Sequence, residues 1–251
     1  MAIASNNPWL PRINSNPQAK LRLFCFPYAG GSSYTFESWV DVLPNTVEIC
    51  PIELPGRRRR FRDPLYKRLD SLITDLSVAI VPYLDKPFIF FGHSMGGLVS
   101  FELTRLLRRK NNLSPVHLLI SARSAIQLPP SKPPIHHLEY EAFKQEVIRL
   151  GGTPQAILEN QEMMDLMIPI VKADFEVIET HTYQPEIPLN IPLTIFGGEN
   201  DLEVTPEELA AWEEQTSANF SLKMFEGGHF FIEEQRSLLL KSVNSILKLY
   251  V

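Results

Sequence analysis

The chain has 251 residues, 44% of them hydrophobic and 21% charged, with a net charge of −5. That composition supports a sizeable buried core and excludes a disordered chain. The mild acidity excludes a general nucleic-acid binder, which shows a strong basic excess.

The first stretch, Met1 to Lys20, is rich in Asn, Pro and Ser. It lacks a basic segment followed by an apolar core, so it reads as neither signal peptide nor membrane anchor. No apolar run reaches the length that spans a bilayer. Leu21–Phe26 reads as a strand ended by Pro27, and Val47–Ile52 as a second. Each holds one of the two cysteines, Cys25 and Cys50. A disulfide scaffold uses more cysteines in a shorter chain, so both are expected as buried free thiols in a reducing cytoplasm. Between Leu69 and Leu84 apolar residues recur at helical spacing. Phe88–Phe91 and Val116–Ser121 are continuous apolar runs, as expected of strands buried on both faces. A helix is expected between them, from Met95 to Lys110. Pro192–Phe196 and Phe220–Phe225 read as further strands, with helices expected near Pro206–Glu214 and Ile232–Leu249.

This alternation predicts one α/β domain spanning residues 1–251, with a mostly parallel central sheet flanked by helices. Residues 123–184 interrupt it. They open with a proline-rich stretch, Pro129-Pro130 and Pro133-Pro134, followed by expected helices near Glu139–Leu150, Pro154–Asn160 and Glu162–Thr180. The last is apolar on more than one face, and Pro169 should kink or restart it. The insertion reads as a lid over the carboxyl edge of the sheet.

Gly92-His-Ser-Met-Gly96 has the form G-x-S-x-G between an expected strand and an expected helix. That context marks a nucleophile elbow, where strand and helix approach too closely for side chains at Gly92 and Gly96. Ser94 is thus the candidate nucleophile, and its hydroxyl needs a base to take its proton. Of six histidines, His93 lies inside the elbow and is expected to point away from Ser94. His117 falls in a strand and reads as a core residue, His136 and His137 lie in the proline-rich linker, and His181 ends the insertion. His229, in a glycine-containing loop after the last strand, occupies the place of the base in the chain order Ser…acid…His. The acid that orients it should follow the strand ending at Phe196, where Glu199, Asp201 and Glu203 are available. Asp201 is preferred and Glu199 is next, whereas Asp174 reads as a surface or lid residue. The oxyanion would be held by the backbone N–H of Met95 and one from the loop Pro27–Ser32, with Ala29 preferred over Tyr28. No cysteine cluster suited to a metal is present, and no metal is expected. Gly56-Arg-Arg-Arg-Arg60, with Arg62, is either a solvated loop or a dock for an acidic partner or a phosphate-bearing arm.

Together these motifs resemble the type II thioesterases of nonribosomal peptide and polyketide synthesis. The resemblance rests on Phe24-Cys-Phe-Pro-Tyr-Ala-Gly-Gly31, Glu53-Leu-Pro-Gly-Arg57, Phe91-Gly-His-Ser-Met-Gly-Gly97, Leu150-Gly-Gly-Thr-Pro154, Lys172-Ala-Asp-Phe-Glu-Val-Ile-Glu179 and Gly227-Gly-His-Phe-Phe231. It implies an α/β-hydrolase fold with a helical lid, and a triad of Ser94, Asp201 and His229. It implies as substrate an acyl or aminoacyl group on the phosphopantetheine arm of a carrier protein, which supplies that arm, so no bound cofactor is expected. Lys172 stands where the family often has arginine, and Arg58–Arg60 extend the single family arginine at Arg57. On this reading Arg57 and Arg58 are candidate carrier-protein or arm contacts. Met163, Met167 and Phe175 are candidate linings of an acyl channel, although lid methionines equally serve packing.

Two rival readings remain at this level: an esterase of free small esters or acyl-CoA with the same triad, and a carrier-binding module without turnover. The start at Met1 with no carrier domain attached favours a free-standing hydrolase over a cyclising domain. A monomer in the cytoplasm, with no membrane or nucleic-acid partner, is the expectation.

Overall fold

A computed structural model describes residues 7–11, 13, 16 and 18–251. Residues 1–6, within the stretch expected to hold no signal peptide, lie outside the described residues. No helix among the described residues is long and apolar enough to cross a membrane.

The strands are β1 (Leu21–Phe26), β2 (Val47–Pro51), β3 (Phe88–His93), β4 (His117–Ser121), β5 (Leu193–Gly198) and β6 (Phe220–Phe225). They form one sheet in the order β2-β1-β3-β4-β5-β6, with every described pair parallel. Both faces are covered, which is why the inner strands read as unbroken apolar runs. Phe24, Phe26, Phe88, Phe90, Leu118 and Ile120 enter one core with residues of α1 (Leu69–Ile80) and α2 (Met95–Asn111). Leu23, Cys25, Ile89, Phe91 and Leu119 enter the other, against Phe36, Trp39 and the final helix. The strand period of two thus sends alternate residues into opposite layers. Cys25 and Cys50 are free and buried, one in each layer.

Several helix ends differ from expectation for local reasons. The first helix stops at Ile80 and passes into a 3-10 turn, Val81–Tyr83, holding Pro82. Proline lacks the N–H that would extend an α-helix. The expected final helix is two, α7 (Phe231–Glu234) and α8 (Arg236–Leu247), divided at Gln235, whose backbone (φ −107°, ψ 25°) is not helical. The expected helix at Pro206–Glu214 is α6 (Pro206–Ala210) followed by a 3-10 segment, Ala211–Gln215.

Between β4 and β5 lie α3 (Tyr140–Leu150), α4 (Gln155–Leu158) and α5 (Gln161–Glu179). Phe143 and Val147 pack against Met164, Ile168 and Val171 in a small core of their own. Of the expected kink or restart at Pro169, the restart does not occur: α5 runs through it as one helix. Pro169 and Asp165 are exposed, so water can bond the Asp165 carbonyl that the proline leaves without an intrahelical donor.

Candidate active site

Ser94 sits at the carboxyl edge of the parallel sheet. It lies between β3 and α2 at φ 53°, ψ −113°, a backbone region that residues with a Cβ rarely occupy. A Cβ on Gly92 would stand 2.1 Å from the Gly96 carbonyl oxygen, and one on Gly96 would stand 2.1 Å from that of Phe26. The glycines therefore let α2 pack on its own strand and on the end of β1, as the motif required. The Ser94 N–H donates to the Ser121 carbonyl at 2.7 Å, tying the turn to the end of β4.

His229 follows β6 and Asp201 follows β5. His229 Nε2 is 3.0 Å from Ser94 Oγ, and His229 Nδ1 is 2.9 Å from Asp201 Oδ2. The other Asp201 oxygen accepts the backbone N–H groups of Glu203 (2.7 Å) and Val204 (3.3 Å). Asp201 is therefore held from two sides, and its side chain is fully buried. The two loops are also locked to each other. Asn200 N–H donates to the Gly227 carbonyl at 2.9 Å, and a Cβ on Gly198 would meet the Gly228 carbonyl oxygen at 2.4 Å. Glu203, an alternative acid by sequence, instead pairs with Lys132 and Arg149.

His93 is buried beside the site, its ring centroid 5.6 Å from that of His229. Its Nδ1 bonds Ser121 Oγ at 2.9 Å, so it engages Ser121 and not Ser94. Burial, reinforced by the charge of His229, holds its pKa well below the usual imidazole range. A neutral His93 does not oppose a cation forming on His229. Met95 opens α2, and an N–H in the first turn of a helix has no intrahelical partner. In the loop after β1, the Gly31 N–H donates to the Tyr28 carbonyl at 2.9 Å. The Ala29 N–H bonds no other group among the described residues.

Ser94 and His229 stand between two cavities. One, of about 170 Å³, is largely apolar and is lined by Val147, Leu150, Ile157, Met167, Val171 and Phe175 among others. The other, of about 650 Å³, is open and more polar and runs past Arg123, Gln127, Pro130, Lys132 and Tyr183. A larger depression of about 900 Å³ lies beside Tyr34, Asp41 and Arg236 and contains none of the three site residues.

Several expectations need correction. Met163 is 46% exposed and lies outside the apolar cavity, whereas Met167 and Phe175 line it. Arg57 is buried and paired with Asp174, so it is not available to a carrier protein. The basic run folds as a short 3-10 segment over Arg58–Arg60, entered from an extended Arg57. Arg57 and Arg60 are buried, Arg60 over the Trp9 ring at 4.2 Å. Arg58, Arg59 and Arg62 are exposed, although Arg58 also reaches Glu37 and Glu53. Asp174 is not a surface residue: it is buried under α5 and bonds both Arg57 and the Gly30 N–H. Its carboxyl pKa is raised by burial, against the opposing pull of Arg57 and the Gly30 N–H. The partners are 117 and 144 residues away in sequence, so no local pattern reveals the cluster.

A parallel sheet with helices on both faces, and a Ser–His–Asp relay at its carboxyl edge, define an α/β hydrolase. Residues 21–247 match the thioesterase domain family, and the chain belongs to that family. It is 42% identical over 247 residues to gramicidin S biosynthesis protein GrsT of Aneurinibacillus migulanus, covering 98% of this chain and 96% of that protein. Among solved structures, RedJ, a thioesterase of the prodiginine biosynthetic pathway in Streptomyces coelicolor, superposes with a TM-score of 0.86 at 31% identity, covering 98% and 91% of the two chains. YbtT, a type II thioesterase of the yersiniabactin NRPS/PKS biosynthetic pathway, superposes at 0.80 with 29% identity, covering 93% and 95%.

Proposed function

We propose that this protein is a discrete editing thioesterase of a nonribosomal peptide or polyketide assembly line. It hydrolyses misloaded acyl or aminoacyl groups from the phosphopantetheine arm of carrier proteins. The observation that carries this reading is the hydrogen-bonded Ser94–His229–Asp201 relay between a small apolar cavity and a larger one of mixed lining. We further infer a single domain working as a cytoplasmic monomer, with α3–α5 as its lid.

Ser94 Oγ attacks the thioester carbonyl while His229 Nε2 takes its proton. The imidazolium is stabilised through Nδ1–H by the Asp201 carboxylate. The tetrahedral oxyanion accepts hydrogen bonds from the Met95 and Ala29 N–H groups. Collapse breaks the carbon–sulfur bond, and the pantetheine thiol leaves with the proton held by His229. A water then gives a proton to His229 and attacks the acyl-Ser94 carbonyl; collapse breaks the acyl–Oγ bond as His229 returns that proton to Ser94 Oγ, freeing the acid. The acyl group occupies the apolar cavity, and the arm with its two amides lies along the larger cavity of mixed lining. The arm belongs to the substrate, and these steps need no resident cofactor.

The test compares hydrolysis of an acyl carrier protein with that of the same acyl group as a p-nitrophenyl ester, in the wild type and in Ser94→Ala. The expected result is a strong preference for the carrier-bound thioester, abolished by the substitution. A preference for the free ester overturns the substrate, and unchanged turnover by S94A overturns the nucleophile.

A further inference from the structure

The loop after β1 is clamped to the lid helix by an ion pair that touches neither Ser94 nor His229. Three consecutive stretches of this loop are held. The Tyr28 carbonyl accepts the Gly31 N–H at 2.9 Å. Because the Tyr28–Ala29 peptide is planar and trans, fixing that carbonyl aims the Ala29 N–H the opposite way. The next N–H, that of Gly30, donates to Asp174 Oδ2 at 2.7 Å. The Gly31 carbonyl accepts from Arg57 Nε at 3.2 Å. Arg57 closes the ring by bonding Asp174 through Nη2 and the Pro55 carbonyl through Nη1 at 2.7 Å.

The lid also rests directly on this turn. Gly30 sits at φ +77°, and a Cβ there would meet Val171 Cγ2 at 3.0 Å. Val171 and Asp174 are both on α5, one turn apart, so the helix presses on Gly30 with one residue and bonds it with the next. Asp174 and Arg57 are only 5% and 6% exposed. A buried ion pair is weak evidence for stability, because desolvation offsets much of the attraction. What this pair does hold is direction: the Gly30 N–H and the Gly31 carbonyl are each fixed by a charged partner.

We propose that Asp174 is a positioning residue that sets the Ala29 N–H for the oxyanion, so the oxyanion hole is complete only while helix α5 is docked. This rests on the reading of Ser94 as nucleophile and Ala29 as oxyanion donor. Arg57 is the second half of the clamp, joining Asp174 to the Gly31 carbonyl. The lid then acts on the chemical step as well as on access, since withdrawing α5 removes the acceptor from the Gly30 N–H.

The test uses full-length Asp174→Ala, Asp174→Asn, Arg57→Lys and Ser94→Ala, with an acyl N-acetylcysteamine thioester as substrate and an alkyl boronic acid as a tetrahedral-adduct inhibitor. Removing an oxyanion donor outright costs about 10²–10³ in kcat, so misaiming one in D174A should cost about 10- to 100-fold. KM should stay within about threefold, because the donor acts on the transition state and not on the bound substrate. Boronic acid affinity should fall by the same factor as kcat/KM. D174N keeps an acceptor for the Gly30 N–H and should recover most of the loss. Arg57→Lys keeps the charge but cannot span Asp174 and Gly31 together, and should lie between them. A merely structural pair would lower the melting temperature while leaving kcat per folded molecule and boronic acid affinity unchanged, and that result overturns the proposal. Should D174A fail to fold, R57K decides: wild-type kcat and boronic acid affinity in R57K overturns the proposal. Wild-type turnover by S94A would instead bring down the reading of the site itself. An inactive S94A beside a D174A with wild-type kcat brings down this inference alone.

Discussion

Ser94→Gly should yield a more stable protein than Ser94→Ala, although both lose the nucleophile. Ser94 occupies φ 53°, ψ −113°, and such a conformation costs a residue with a Cβ about 1–3 kcal/mol. Both substitutions remove the hydroxyl and its 3.0 Å contact with His229 Nε2, so that loss cancels between them. Alanine keeps the Cβ and its strain, whereas glycine releases it. Against the release stands the greater freedom of glycine in the unfolded chain, worth about 0.4–1 kcal/mol. The net difference is about 0.5–2 kcal/mol in favour of glycine. For a chain of this length that corresponds to a melting temperature higher by roughly 2–6 °C. Thermal unfolding by circular dichroism and urea titration of the two purified variants measure it. S94G melting at or below S94A would refute the argument that the elbow stores strain at the nucleophile.

Three further outcomes follow from the geometry. Met167→Ala should enlarge the apolar cavity and raise the kcat/KM ratio of longer to shorter acyl thioesters by roughly 10-fold, since a methylene in such a pocket is worth about 1–3 kcal/mol. Met163→Ala should leave the ratio unchanged, and a chain-length series on both variants reads the contrast. His117, bonded to Thr194 and Tyr250, is lowered by burial from 6.5 to about 4. Its folded pKa lies below the unfolded one, so the unfolded chain binds the extra proton between them. The stability is complete above the unfolded pKa and is lost as pH falls toward the folded one. Wild type should therefore lose up to about 2 kcal/mol more than His117→Asn between pH 7 and pH 5 in urea unfolding. Equal losses would remove His117 as the cause. Finally, Arg58→Glu/Arg59→Glu should raise KM for an acyl carrier protein several-fold and leave it unchanged for the N-acetylcysteamine thioester. Equal effects on both substrates would return the exposed arginines to a solvated loop.

The relay residues were legible because each carries a local signature. The elbow needs glycines where backbones approach closely, and a Cβ on either Gly92 or Gly96 would stand 2.1 Å from a backbone carbonyl oxygen. His229 and Asp201 were found by position, each in a loop directly after a strand. The expected lid contacts were less reliable. Met163 and Met167 are one helical turn apart, yet only Met167 faces the cavity. Residues four apart share a helix face, so spacing does not say how far along that face the cavity extends. The arginine run was misjudged because charge in sequence suggests exposure, whereas Arg57 and Arg60 are buried against partners outside the run, Asp174 and the Glu53 carbonyl among them.

The layered α/β architecture, the strained serine turn and the chain order of the relay are legible along the chain. These depend on hydrophobic period, glycine placement and short strand-to-loop connections, all encoded within a few residues of one another. The burial of Asp174 on the loop after β1 with Arg57 as its partner, and the place of Ser94 between a small apolar cavity and a larger mixed one, arise only on folding. Those facts depend on how the insertion packs across the sheet edge. The groups concerned lie more than a hundred residues apart in sequence, where no local pattern constrains them.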